Sequence, residues 1–112
     1  MFGSRPQIPS ISVEDLKKSL DEKSDSVILD VRTPEEYLRG NIKRSINLPM
    51  DDVATKIEKI LLDKNKTIYV YCLSGSRSYS AVETMIKLGY KNVFNVNSGL
   101  LAWRSKKYPL ES

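Results

Sequence analysis

"KTIYVYCLSGSRSYSAVETMIKLG", residues 66–89, holds the two periodicities that decide the architecture. Residues 66–72 are a nearly continuous run of Ile, Tyr and Val, the pattern of a buried strand. From 78 to 89 the spacing turns helical, and Gly89 is placed to stop it. Between them lies a turn of Gly and Ser, with Cys72 at the last strand position and Arg77 five residues on. A strand followed by a tight turn and a helix predicts a parallel strand leaving through a helical crossover.

The flanking segments repeat that alternation. "ISVEDLKKSLDE" (11–22) is predicted as a helix capped by Ser12, with Val13, Leu16 and Leu20 on one face. "SVILDV" (26–31) reads as a buried strand, and Pro34 opens a short helical turn, "PEEYLRG", that Gly40 ends. "SINLP" (45–49) is a brief extended piece, and 50–65 carries a helical stripe at Val53, Ile57, Ile60 and Leu61. "KNVFNVN" (91–97) is a further strand, and 98–108 a final helix with the only tryptophan, Trp103, as a core anchor. The expected fold is α/β: a central, mostly parallel sheet flanked by helices on both faces. Ligands of such sheets sit beyond the carboxyl ends of the strands, where Cys72 and Asp30 both fall.

At 112 residues the chain is expected to form one domain, with 1–7 a flexible lead-in, 8–108 the folded unit and 109–112 a tail. Net charge is +4, but the basic residues are dispersed, which argues against a nucleic-acid surface while favouring small anions. No stretch approaches the roughly eighteen apolar residues of a membrane span. A single cysteine cannot close an internal disulfide, so a reducing, cytoplasmic setting is expected. The chain has no histidine, which removes Ser-His-Asp and Cys-His pairs and every histidine-based metal site. No metal and no cofactor is expected.

Any nucleophile must therefore be activated by its setting. Gly75 permits a tight turn, and the small serines let the backbone curl, so that amides from Leu73 to Ser78 can converge above the sulfur. Those at the helix start are unsatisfied donors at the positive end of its dipole, and Arg77 adds a full charge at the rim. Such a setting lowers a thiol from about 8.5 to roughly 3.5–7.5, and the thiolate is the reactive form. A lone cysteine is often only a small buried hydrophobe. A packing cysteine, however, belongs inside an apolar run, and Cys72 stands at its end before Gly, Ser and Arg.

Three segments together resemble the rhodanese domain over essentially the whole chain. "LDVRTPEEYLRGNIKRSINLP" (29–49) is similar to its upstream signature, "CLSGSRS" (72–78) to its active-site loop, and "NSGLLAW" (97–103) to its downstream segment. The resemblance implies a rhodanese-like fold and a sulfurtransferase. In it Cys72 takes a sulfane sulfur from thiosulfate or another donor as a persulfide and passes it to cyanide or a thiol. Leu73, Ser74, Gly75, Ser76 and Arg77 would form the cradle, with Ser78 where the helix begins, and Arg77 would hold the sulfonate end of a donor. Asp30, Arg32 and Glu36 resemble a supporting polar cluster in which Arg32 pairs with Glu36. Asn41 and Ser98 depart from the family pattern; Asn41 is expected to replace an imidazole hydrogen bond, and Ser98 to cap the last helix.

Loop length separates this reading from a phosphatase or arsenate reductase. Cys72 and Arg77 give Cys-x4-Arg, and the related phosphatases use a loop one residue longer that has room for phosphate. The alternatives are a sulfur-carrier or delivery module with weak thiosulfate activity, less favoured a phosphatase or arsenate reductase, and an inactive binding module, against which the intact cysteine argues. With no second thiol, the acceptor must be an external thiol or a protein, and the resemblance implies a small anionic sulfur donor.

Overall fold

In a computed structural model, which describes residues 7–112, ten elements alternate along the chain. They are β1 (Ser10–Ile11), α1 (Val13–Asp21), β2 (Val27–Asp30), α2 (Pro34–Leu38), β3 (Ser45–Asn47), α3 (Met50–Ile60), β4 (Thr67–Tyr71), α4 (Ser76–Lys87), β5 (Asn92–Val96) and α5 (Gly99–Ser105). The expected lead-in lies outside the described residues except for Gln7. The strands form one sheet in the order β1-β5-β4-β2-β3, every pairing parallel. Both edge strands are short, which limits the exposed ladder available for unwanted pairing.

Alternation along the strands divides the core in two. Ile68, Val70 and Cys72 face one layer with Val53 and Ile57 of α3 and Ala81, Val82 and Met85 of α4. Tyr69 and Tyr71 face the other with Val13 and Leu16 of α1 and Leu100 and Trp103 of α5. The two-residue period of the strand therefore decides that the thiol points to the α3/α4 side. Trp103 is buried as the core anchor of its layer, and its indole nitrogen donates to the Pro109 carbonyl at 2.9 Å. Residues 109–111 return to the body of the domain: Leu110 packs on the Trp103 layer, and Glu111 exchanges two backbone bonds of 2.8 Å with Asn41.

From β2 the chain moves outward to β3, and from β4 it moves the opposite way to β5. The crevice between β2 and β4 is the switch point of the sheet, and Asp30 and Tyr71 stand in register at its carboxyl end.

Several elements differ from the expected ones, and the final helix, expected over 98–108, spans only Gly99–Ser105. The stripe predicted over 50–65 ends at Ile60, because Leu61 turns extended and Asp63 folds a local turn, its carboxylate accepting the Asn65 amide at 2.9 Å. α4 begins at Ser76, before the predicted 78, because Gly75 takes φ +106° at the position preceding it. β1 had no sequence counterpart, since two residues carry no period and only their pairing with β5 defines them. Ser98 occupies the N-cap position of α5 but in a left-handed conformation (φ 57°), and it makes no side-chain cap.

Candidate active site

The thiol is fixed by a tight turn. Cys72 leaves β4, the chain reverses through Ser74 and Gly75, and α4 begins at once. Its sulfur accepts the Gly75 amide at 3.1 Å and the Ser78 amide at 3.4 Å. Ser78 is the third residue of α4, so its amide is one of those a helix cannot satisfy internally. The Ser78 hydroxyl lies 3.4 Å from the sulfur. Burial alone would push the Cys72 thiol up, but the Ser78 hydroxyl and the amides of Ser78, Gly75 and Ser74 outweigh it, leaving the thiol below its ordinary value. The sulfur thus ionises more readily than an ordinary thiol although Cys72 has 0% exposure.

Asn95 completes this environment. This asparagine in the middle of β5 accepts from the Ser78 hydroxyl at 2.5 Å and donates to the Gly75 carbonyl at 3.3 Å. It holds the turn and the serine together. Sequence reasoning missed it; the available signal was a polar amide at a buried position of an apolar strand.

α5 secures the loop from behind. The Leu100 amide donates to the Cys72 carbonyl at 2.9 Å and the Leu101 amide to the Leu73 carbonyl at 3.0 Å. A Cβ on Gly99, at φ +44°, would collide with the Cys72 carbonyl oxygen. The downstream "SGLLAW" therefore supports the loop through its backbone.

The two arginines are partnered differently from the expected arrangement. Arg32 does not pair with Glu36. It binds Asp30 through Nη2 at 2.7 Å, with Nε at 3.1 Å from both carboxylate oxygens, and donates to the Gly40 carbonyl at 2.7 Å. The reason is local: α2 starts only at Pro34, so Arg32 and Glu36 do not share a helical face. Glu36 instead holds Arg77 in a two-pronged ion pair, Nη1–Oε1 2.7 Å and Nη2–Oε2 3.0 Å. The Arg77 contact draws the Glu36 carboxyl down to about 2, against the opposing effect of partial burial. Arg77 is likewise held more firmly protonated, first by Glu36.

The structure brings Cys72, Ser74, Gly75, Ser78, Arg77 and Glu36 to the carboxyl end of β4. Leu73 turns its side chain into the Trp103 layer, and Ser76 is exposed as the first residue of α4. Asp30 and Arg32 brace the adjacent end of β2 from within the core. Tyr71 stands beneath them, its hydroxyl accepting the Ile42 amide at 3.0 Å and its ring under the Arg32 guanidinium. Asn41 holds the α2 turn, donating from its side chain to the Tyr37 carbonyl at 3.0 Å. Lys106 is paired with Glu14 at 3.0 Å, at the end of α5 remote from the loop.

A cavity of about 130 Å³ opens beside Arg77, lined by Val31, Thr33, Pro49, Met50 and Asp51. A larger cleft of about 550 Å³, with Lys17, Lys43, Arg44 and Trp103 in its walls, contains no residue of the cysteine loop. Of the two, only the smaller shares a residue, Arg77, with the cysteine loop. Among the described residues, no helix is long and apolar enough to cross a membrane.

Comparison with known proteins agrees with this geometry. Residues 12–106 match the rhodanese-like domain. A sulfurtransferase of Allochromatium vinosum is 32% identical over 92% of this chain and 94% of its own length. YrkF of Bacillus subtilis, named as a candidate sulfur carrier, is 39% identical over 88% of this chain, which spans only 52% of that relative. The crystal structure of a rhodanese-related protein from Thermoplasma volcanium superposes with a TM-score of 0.82 at 36% identity, covering 93% of this chain and 98% of the other. With its parallel sheet, its cysteine turn at the head of α4 and a match running through nearly all of its length, the chain belongs to the rhodanese-like domain family.

Proposed function

We propose that the protein is a sulfurtransferase that carries sulfane sulfur as a persulfide on Cys72, from thiosulfate or a persulfide donor to cyanide or a thiol. The observation that carries this reading is the pair of loop amides, from Gly75 and Ser78, bonded to the sulfur itself. In the forward step the Cys72 thiolate attacks the outer sulfur of the donor. A new sulfur–sulfur bond forms, the donor's own breaks, and its electron pair leaves with sulfite or with the donor thiolate. The outer sulfur inherits the negative charge. Because Cys72 is fully buried, the turn at Ser74 and Gly75 has to lift to admit that atom, and the amides then serve the persulfide. Cyanide or an external thiol attacks the outer sulfur next and returns the thiolate.

Ser74, Gly75 and Ser78 stabilise the anion, Arg77 stands at the mouth paired with Glu36, and Asp30 and Arg32 hold the neighbouring strand end. A single thiol requires an external acceptor and suits a reducing, cytoplasmic setting. Sulfur transfer is favoured over phosphate chemistry because the amides close on one sulfur atom at 3.1 and 3.4 Å. The carrier reading uses the same persulfide and differs only in the identity of the donor and acceptor.

Incubation with thiosulfate should add the mass of one sulfur atom to the intact protein, removable by a reductant. Cys72→Ser should take up none. Steady-state turnover with thiosulfate and cyanide is measured beside an aryl phosphate. Hydrolysis of the phosphate with no sulfur uptake would overturn the reading.

A further inference from the structure

We propose that Glu36 sets the class of sulfur donor, favouring a singly charged organic persulfide over the thiosulfate dianion by occupying both terminal nitrogens of Arg77. The inference rests on sulfur transfer through Cys72 and concerns what that site admits. Arg77 is the only charged side chain in the loop from Cys72 to Ser78. Its two terminal nitrogens are taken by Glu36 at 2.7 and 3.0 Å, so the mouth offers a neutral pair in place of an open cation. Asp51 adds a carboxylate in the cavity that Arg77 lines. Asp30 also faces Arg77, but its charge is matched by Arg32 at 2.7 Å. The reactive thiolate is a further negative charge.

Thiosulfate must bring two negative charges into this setting and leave as sulfite with two. An ionised organic persulfide brings one and leaves one, on the departing thiolate. In both cases the Cys72 sulfur bonds the donor's outer sulfur while the donor's sulfur–sulfur bond breaks, so atoms and charge balance. The difference lies in repulsion, which Glu36 and Asp51 raise for the dianion. Val31, Pro49 and Met50 give the cavity beside Arg77 an apolar wall suited to a short carbon chain, which a persulfide has and thiosulfate lacks.

Glu36→Gln separates charge from structure. Glu36 closes a capping box on α2, accepting the Thr33 amide at 3.0 Å and donating its own amide to the Thr33 hydroxyl at 3.2 Å. Glutamine at that position keeps both bonds. Loading of Cys72 is followed by intact mass in single turnovers, with thiosulfate and with the persulfide of 2-mercaptoethanol, across a range of salt. In Glu36→Gln the half-saturating thiosulfate concentration should fall about tenfold, while the maximal rate and the persulfide values change less than about threefold. Thiosulfate loading in the variant should also weaken more steeply with salt than in the wild type. Glu35→Gln removes an exposed carboxylate from the same first turn of α2, away from the cavity, so the donor preference should stay that of the wild type. An unchanged preference in Glu36→Gln, or the same shift in Glu35→Gln, overturns the role of Glu36. Failure of the wild type to load from either donor overturns sulfur transfer itself.

Discussion

The hydroxyl of Ser78 has one proton and three acceptors within reach: the Asn95 side-chain oxygen at 2.5 Å, the Gly75 carbonyl at 3.1 Å and the Cys72 sulfur at 3.4 Å. With Cys72 protonated, the thiol can donate to Ser78 while Ser78 donates to Asn95. Once the thiol ionises, the hydroxyl can turn its proton to the sulfur. Ser78 is thus a bond to the charged form that its amide alone does not replace. The thiol lies below its ordinary value, so the rate of alkylation by iodoacetamide should rise with pH and level off earlier than for a free thiol. In Ser78→Ala the plateau should move to higher pH, and the rate below neutrality should fall severalfold, because bonds to charged groups contribute about 1.5–3 kcal/mol. A Ser78→Ala profile superimposable on the wild type would leave the amides as the whole cause. At this scale the sequence made the thiol, Gly75 and the serines legible, because all lie within one turn. The Arg77–Glu36 pair was hidden, since its members come from segments 41 residues apart and meet only through the sheet register.

Elements α4 and α5 converge on the same loop from opposite faces of the sheet. α4 presents the free amide of Ser78 to the sulfur, while α5 uses its own amides to hold the carbonyls of Cys72 and Leu73. A strand end that gives its sulfur to one helix and its backbone to another cannot shift without breaking both sets of bonds. The close approach of α5 depends on Gly99, where an added methyl meets a backbone oxygen, which cannot rotate aside. Gly99→Ala should therefore destabilise the domain by about 2–3 kcal/mol, typical of forced overpacking. It should lower the urea midpoint with an unchanged slope, and Cys72 loading should slow even where the protein remains folded. Stability equal to the wild type would mean that α5 can retreat freely. The helices themselves were legible through their stripes and caps: Ser12 accepts the Asp15 amide at 3.1 Å, as its position before Val13 implied. The early end of α3 was not, because the Asp63 turn competes with a stripe that still looks helical at Leu61.

For the molecule as a whole, the parallel sheet and its switch point put Cys72 and Asp30, the residues of the proposed chemistry, at the carboxyl ends of β4 and β2. The alternation of strand and helix patterns made that arrangement legible without coordinates, and the all-parallel ladder follows from it. The internal brace was less so. Asp30 and Arg32 have side-chain exposures of 0% and 3%, and Arg32 reaches across to the Gly40 carbonyl, tying β2 to the far end of α2. Charges removed from water this completely are retained only as a matched pair, and removal of one partner typically costs about 3–5 kcal/mol. Arg32→Met keeps much of the aliphatic volume but leaves the Asp30 carboxylate buried with only the backbone amide of residue 32, now at 2.9 Å, as a donor from that side. Urea unfolding should show a loss of at least about 3 kcal/mol, and for a domain of this size each kcal/mol corresponds to roughly 4–8 °C in the thermal midpoint. The double variant Asp30→Leu/Arg32→Met removes both charges and should recover most of the loss. If the single variant is as stable as the wild type, the pair does not brace the sheet. If the double variant is no better than the single, the cost lies in lost packing and not in a stranded charge.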